Sequence, residues 1–225
     1  MNEPSDARTK SLFSIAEAAA HAGTNNATVR NWFCGDEQRG IEPLFPDRIR
    51  SRNSEIWLSF LELVEVIVAR RFRKHRVTIE QLRQARKHAR TRWGVECPLA
   101  ERRLRLLGGR VLDFPGGAID LDWPTSQPAL PKFASYATEV FEYDMLEHSN
   151  QDAEWATRFY PAGSDGPLMV DPRFAGGAVT FVNRSLLLDT IVGRWRAEES
   201  ISFIASDFGL KKEDVEAALR YASSS

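Results

Sequence analysis

Apolar residues recur at helical spacing near both ends of this chain, with short alternating runs between. In the stretch SIAEAAAHAGTNNATVRNW, Ile15, Ala18, Ala19 and Ala22 form one narrow stripe, and Val29 and Trp32 form a second after a short break. Ser14 and Glu17 have capping-box spacing, Gly23 supplies the freedom a helix exit needs, and Asn25 is a suitable N-cap for the helix that follows. Over 59–75, Phe60, Leu61, Val64, Ile67, Val68 and Phe72 make a face too broad for a surface helix, which predicts a buried one. Thr78 and Gln81 form a second capping box. It opens a helix with Ile79, Leu82, Ala85, Ala89 and Trp93 inward and Arg83, Arg86, Lys87 and Arg90 outward. Beyond Gly94 the pattern changes. LLGGRVLDF and GGAIDLDW predict two short strands and TSQPALPKF a connector, while 134–143 and 155–160 fit either strands or packing segments. Near the C-terminus, Leu187, Leu188, Ile191, Val192 and Trp195 mark one helix. Ile201, Ile204, Ala205 and Phe208 mark a second that Gly209 ends, and 211–221 a third with Val215, Ala218, Leu219 and Tyr221 inward.

These elements predict a mainly α fold with small β elements: a winged helix-turn-helix over 1–112, a short β-containing middle segment over 113–168, and a three-helix unit over 169–225. The wing follows from Pro43 and Pro46, which exclude a helix, and from Ile49, Ile56 and Leu58, which can face one side of a hairpin tipped by Arg50, Ser51, Arg52 and Asn53. Length, 225 residues, and 43% hydrophobic content allow a real core. The opening MNEPSDARTK lacks the order of a secretory signal, and no apolar run approaches the roughly 20 residues that cross a bilayer, so the expectation is a cytoplasmic protein without a membrane partner. Cys34 and Cys97 are far apart and predict reduced thiols. His21, His75, His88 and His148 lack ligand spacing, so no metal is expected. Nor is there a phosphate-cradling glycine loop or a nucleophile elbow; no cofactor, catalytic residue or enzyme activity is predicted. Asp113, Asp120 and Asp122 near Trp123 read as surface strand positions.

Charge divides the chain. Residues 1–112 carry 21 Lys and Arg against 13 Asp and Glu, and 113–225 carry 9 against 18, while the whole chain is nearly neutral at −1. A basic half suits a polyanion, because neutralised phosphates release condensed counterions, and an acidic half suits a protein. In a helix-turn-helix the second helix enters the DNA major groove with its N-terminal residues against base edges. Asn25, Asn26, Thr28, Arg30 and Asn31 are therefore the candidate DNA readers, and Arg48, Arg50 and Arg52 the candidate wing contacts to phosphates or the minor groove. The basic end of the third helix, ARRFRKHR, is explained by the helix dipole without DNA, whereas the row of Arg83, Arg86, Lys87 and Arg90 fits a solvated face and a continued phosphate-binding surface equally well. IASDFGLKKEDVEAAL has similar spacing, but Glu213, Asp214 and Glu216 would repel phosphates, so that module reads as protein-binding or dimerising.

With its helix-turn-helix, arginine wing and WLSFLELVEVIVARRFRKHRVTIEQLRQARKHARTRWGVECPLA, the N-terminal segment resembles the MerR-like winged domain of a group of VapB-type antitoxins. Residues 170–222 resemble the small trihelical antitoxin domain, of a formerly unknown-function family, that follows it there. Asp171, Pro172, Arg173, Gly176 and Arg184 match that domain's pattern, whereas Ala178 stands in place of a proline and Val182 with Asn183 in place of Gly-Thr. The resemblance implies a homodimer that binds operator double-stranded DNA to repress its operon and neutralises a PIN-domain type ribonuclease toxin by direct binding. Arg184, Trp195 and Tyr221 are the candidate toxin contacts. A MerR-like ligand-sensing regulator without a toxin is the alternative.

Overall fold

The computed structural model describes residues 6–46, 55–74, 77–101, 105–107, 110–113, 117–118, 140–145 and 154–224. At its centre is helix α3, Phe60–Lys74, in which every residue from 60 to 69 is buried. Around it stand α1 (Ile15–Ala22), α4 (Ile79–Trp93) and a two-stranded antiparallel ribbon of β1 (Ser11–Ser14) and β2 (Trp57–Ser59), while α2 (Asn26–Cys34) packs on α1. The helix starts are those the spacing predicts. Ser14 Oγ accepts from the Glu17 amide while Glu17 accepts from the Ser14 amide at 2.7 Å, and Thr78 and Gln81 do the same. A further capping box opens α3, where Ser59 donates its amide to Glu62 at 2.7 Å; this holds Glu62 as a satisfied buried carboxylate.

Strand β1 has no counterpart in the hydrophobic pattern. Its Phe13 lies opposite Leu58 in the ribbon, so Leu58 faces the core through a partner 45 positions away. Ile49 and the arginine tip at 50–53 lie outside the described residues. Beyond α4 come β3 (Arg105–Leu107), β4 (Arg110–Asp113) and β5 (Gly117–Ala118), an antiparallel set of three strands where the glycine pairs predict two. Segments whose spacing fits either strand or packing roles form a hairpin of β6 (Phe141–Met145) and β7 (Glu154–Phe159).

The chain then makes β8 (Leu168–Met169) and β9 (Thr180–Phe181), and three helices follow: α5 (Leu188–Arg196), α6 (Ile201–Phe208) and α7 (Lys212–Ser224). Their inward residues Leu188, Ile191, Ile204, Val215 and Ala218 form an apolar cluster of their own. The larger cluster gathers α1 to α4 and reaches forward to Phe141, Trp155, Phe159 and Val170, so the middle hairpin packs with the N-terminal helices. Mainly helical architecture with small antiparallel sheets is what the hydrophobic pattern predicts.

Candidate nucleic-acid and protein interfaces

Helix α1 exits at Gly23 in the left-handed conformation (φ 61°), and α2 begins three residues later with the Asn25 side chain accepting from the Thr28 amide at 2.8 Å. Val29, Trp32 and Phe33 anchor α2 to the core. That leaves Asn25 and Asn26 exposed and Thr28, Arg30 and Asn31 half-buried, all on or beside the first two turns. The Asn25 side-chain carbonyl is engaged in capping, whereas Asn26 stands in solvent at the positive end of the helix. Arg48, Arg50 and Arg52 lie outside the described residues.

Packing of α3 against α1 brings two further cations to this turn. Arg70 donates from Nε to the Gly23 carbonyl at 3.3 Å, and the Lys74 ammonium lies 3.9 Å from where a Gly23 side chain would begin. Helical spacing shows that this end of α3 is basic; it does not show which turn that end approaches.

The outward row on α4 is corrected at one position. Arg86 is 2% exposed and pairs with Glu65, 1% exposed, at 3.1 Å. It also donates to the Glu96 carbonyl at 2.9 Å and lies 5.0 Å from the Phe45 ring centroid. Glu65 in turn accepts from the Leu99 amide, so the pair ties α3 and α4 to the segment after them. Arg83 is occupied by the carbonyls of Glu42 and Pro43 and the carboxylates of Glu42 and Glu80. Lys87 is exposed. A cavity of about 650 Å³ opens along this face, over Leu44 and Pro46 and lined by Arg83, Arg86, Lys87 and Arg90.

In the C-terminal unit the three candidate contacts have different surroundings. Arg184 donates to the carbonyls of Phe208 and Gly209 at 2.8 and 2.9 Å and closes the end of α6. Trp195 is 50% exposed, not inward as the helical pattern predicts. The Tyr221 hydroxyl is 2.7 Å from Nδ1 of His21 in α1, with the two rings stacked, so this side chain joins the C-terminal unit to the N-terminal helices. Phe13 and Phe159 meet the His21 ring edge-on. Burial pushes the imidazole down to about 4, against an opposing effect of the Glu17 carboxylate, so His21 is neutral at pH 7.

Two other contacts fix the same junction. Phe13 packs where a Gly177 side chain would stand, 2.5 Å from its Cβ position, and Gly177 has φ 83°. Both facts demand glycine there. Asp171, 1% exposed, accepts from Arg173 at 2.7 Å and from Arg158 of β7 at 2.8 Å. Burial alone would raise the Asp171 carboxyl; the bonds from Arg173 and Arg158 outweigh it and hold the group below its usual value. Arg158 reaches on to Glu142 at 2.9 Å, a cross-strand partner in the hairpin. Sequence spacing does not single it out, because its partner Asp171 lies 13 positions away, across a turn. Val182 and Asn183 sit in a turn closed by the Arg184 amide on Phe181, and Asn183 takes φ 59°, which asparagine tolerates well.

A sequence-family model described as a protein of unknown function (DUF433) matches residues 169–222. That span runs from the end of β8 through the Asp171 clamp to α7, the helix that carries Tyr221. A Mycobacterium tuberculosis protein named "Putative antitoxin VapB45" is 23% identical over 221 residues, covering 92% of each chain. The crystal structure of Rv2018 from Mycobacterium tuberculosis superposes with a TM-score of 0.65 at 18% identity, over 94% of this chain and 99% of that one, which establishes a shared fold. Among the described residues no group of three or more His, Cys, Asp or Glu is placed to hold a metal ion, and no helix is long and apolar enough to cross a membrane.

Proposed function

We propose that this protein is an antitoxin of a type II toxin–antitoxin system. Its N-terminal region, 1–112, binds operator double-stranded DNA as a MerR-like winged helix-turn-helix within a homodimer and represses its own operon. Its C-terminal region, 169–225, holds a ribonuclease toxin of the PIN-domain type in the cytoplasm, and 113–168 connects the two. The observation that carries the reading is the exposed first turn of α2, with Asn26 in solvent and the basic end of α3 beside it, in a molecule whose other half is acidic. Full-length similarity to a protein named as an antitoxin supports the second half of it.

Affinity for the duplex upstream of its own gene, measured over a salt series, tests the DNA part: log affinity should fall linearly with log salt, and indifference to salt contradicts phosphate neutralisation. Replacing Asn26 and Arg30 by Ala should cost about 1 to 3 kcal/mol for each base that is no longer read, while affinity for random duplex changes little. Equal operator affinity in the double variant places recognition elsewhere. The cavity on α4 favours a second reading, a ligand-sensing regulator that takes an anionic small molecule. Arg83 and Arg86 are already engaged by carboxylates there, which weakens it. A neighbouring reading frame for a nuclease-like protein separates the two.

A further inference from the structure

Two basic patches lie near α2, and their surroundings differ. In the α4 row of Arg83, Arg86, Lys87 and Arg90, two members are committed to carboxylates: Glu42 and Glu80 hold Arg83, and Glu65 holds Arg86. That row also meets the chain after α2, at Glu42, Pro43 and Phe45, away from the turn at which α2 begins. The end of α3 lies at that turn. Arg70 and Lys74 are four residues apart on one helical face, and both reach Gly23, three positions before Asn26.

The dipole of α3 favours any cation in its last turn and selects no direction for the side chain. Arg73 stays at the end of its own helix and donates to the Val77 carbonyl at 2.6 Å, whereas Arg70 and Lys74 cross to the exit of α1. Arg70 gives one N–H to a neutral carbonyl, and neither cation forms an ion pair with a carboxylate among the described residues. Two uncompensated positive charges held at one turn favour an anion there. Three residues span at most about 11 Å of chain, and the DNA major groove is about 12 Å wide. With Asn26 against base edges, both cations therefore stand at the lip of the groove.

From this placement we infer that Arg70 and Lys74 hold a backbone phosphate of duplex DNA beside the groove that α2 enters, so that the end of α3 positions α2 and carries no base preference of its own. The inference rests on the DNA-binding reading and names a contact that the sequence assigns to the helix dipole.

Salt dependence separates phosphate contacts from base contacts. Affinity of the full-length protein is measured from about 50 to 200 mM salt on two duplexes, the one upstream of its own gene and a random duplex of equal length. Lys74→Gln should lower the slope of log affinity against log salt by about 1 for each bound protomer on both duplexes, with melting unchanged, and Lys74→Arg should keep the wild-type slope. Arg70→Gln should lower the slope by a similar amount. It also removes the bond to the Gly23 carbonyl, so Lys74→Gln keeps the test valid if Arg70→Gln loosens the turn. Lys87→Gln, at an exposed cation of α4, should leave the slope unchanged. A wild-type slope in Lys74→Gln overturns the inference and leaves the DNA-binding reading standing. A slope lowered by Lys87→Gln and not by Lys74→Gln assigns the phosphate contact to α4 and also overturns it. Weaker operator binding in Lys74→Gln with the random duplex bound as before makes this end of α3 a base reader, which overturns it too. A wild-type protein that binds neither duplex overturns the DNA-binding reading itself.

Discussion

A guanidinium and a carboxylate buried together, as Arg86 and Glu65 are, attract strongly, yet both have given up their water. Removing one partner is therefore worse than removing both. Arg86→Met should cost about 3 to 5 kcal/mol by leaving the Glu65 charge in the core, and Glu65→Leu combined with Arg86→Met should recover much of that. Urea unfolding midpoints of the two variants check it; equal losses would mean that the pair is not what holds α3, α4 and the Leu99 segment together. The same residue marks a limit of pattern reading. Arg86 stands in a row with Arg83, Lys87 and Arg90 that reads as one outward face, solvated or phosphate-binding, and only the approach of α3 turns one member of the row inward. Asp171 is the reverse case: its partner Arg173 is two positions away and visible in the sequence, while Arg158 reaches it from β7.

Helix boundaries are set by side chains within four residues of one another, so the elements are the most legible part of this chain. Ser14, Asn25 and Thr78 cap the helices their spacing assigns to them, and Gly23, Gly94 and Gly209 end helices in the left-handed conformation. Ser14→Ala removes the acceptor for the Glu17 amide and should lower stability by about 1 kcal/mol, read as a shift of the thermal midpoint. A shift no larger than that of an exposed control such as Ala16→Ser would show that the Glu17 carboxylate alone holds the turn. Strand β1 escapes the same kind of reading. Four residues, Ser11–Ser14, contain one alternation at most, and their strand identity depends on Trp57–Ser59 arriving alongside.

At the scale of the whole molecule, His21 is where the C-terminal helix meets the N-terminal bundle, and its chemistry makes that junction sensitive to acid. The ring has a folded pKa of about 4 against an ordinary 6.5. Between those values the unfolded chain takes up a proton that the folded chain refuses, so stability should fall as pH drops from about 6.5 towards 4, by no more than about 3 kcal/mol from this group. Unfolding measured at pH 7, 5.5 and 4.5 should show that slope, and His21→Gln should flatten it; an unchanged slope in the variant would assign the acid sensitivity to other groups. Asp171 acts in the same direction at lower pH, contributing stability above its unfolded value and losing it as acid protonates the folded group. Tyr221 belongs to the three-helix unit and His21 to α1, so the junction connects the region proposed to hold a toxin with the region proposed to bind DNA.

What the sequence determined by itself is local: where helices begin and end, which stripe of each is apolar, and that charge is divided between two halves. Those properties come from periodicity, capping and composition, which act over a few residues or over none in particular. Tertiary structure decided which elements meet. It buried Arg86, turned Trp195 outward, brought Lys74 and Arg70 to the turn before α2, and set Phe13 against Gly177 and His21 against Tyr221, 200 positions apart. Such pairings depend on how several apolar faces satisfy one another at once, and the spacing within any single face does not contain that information.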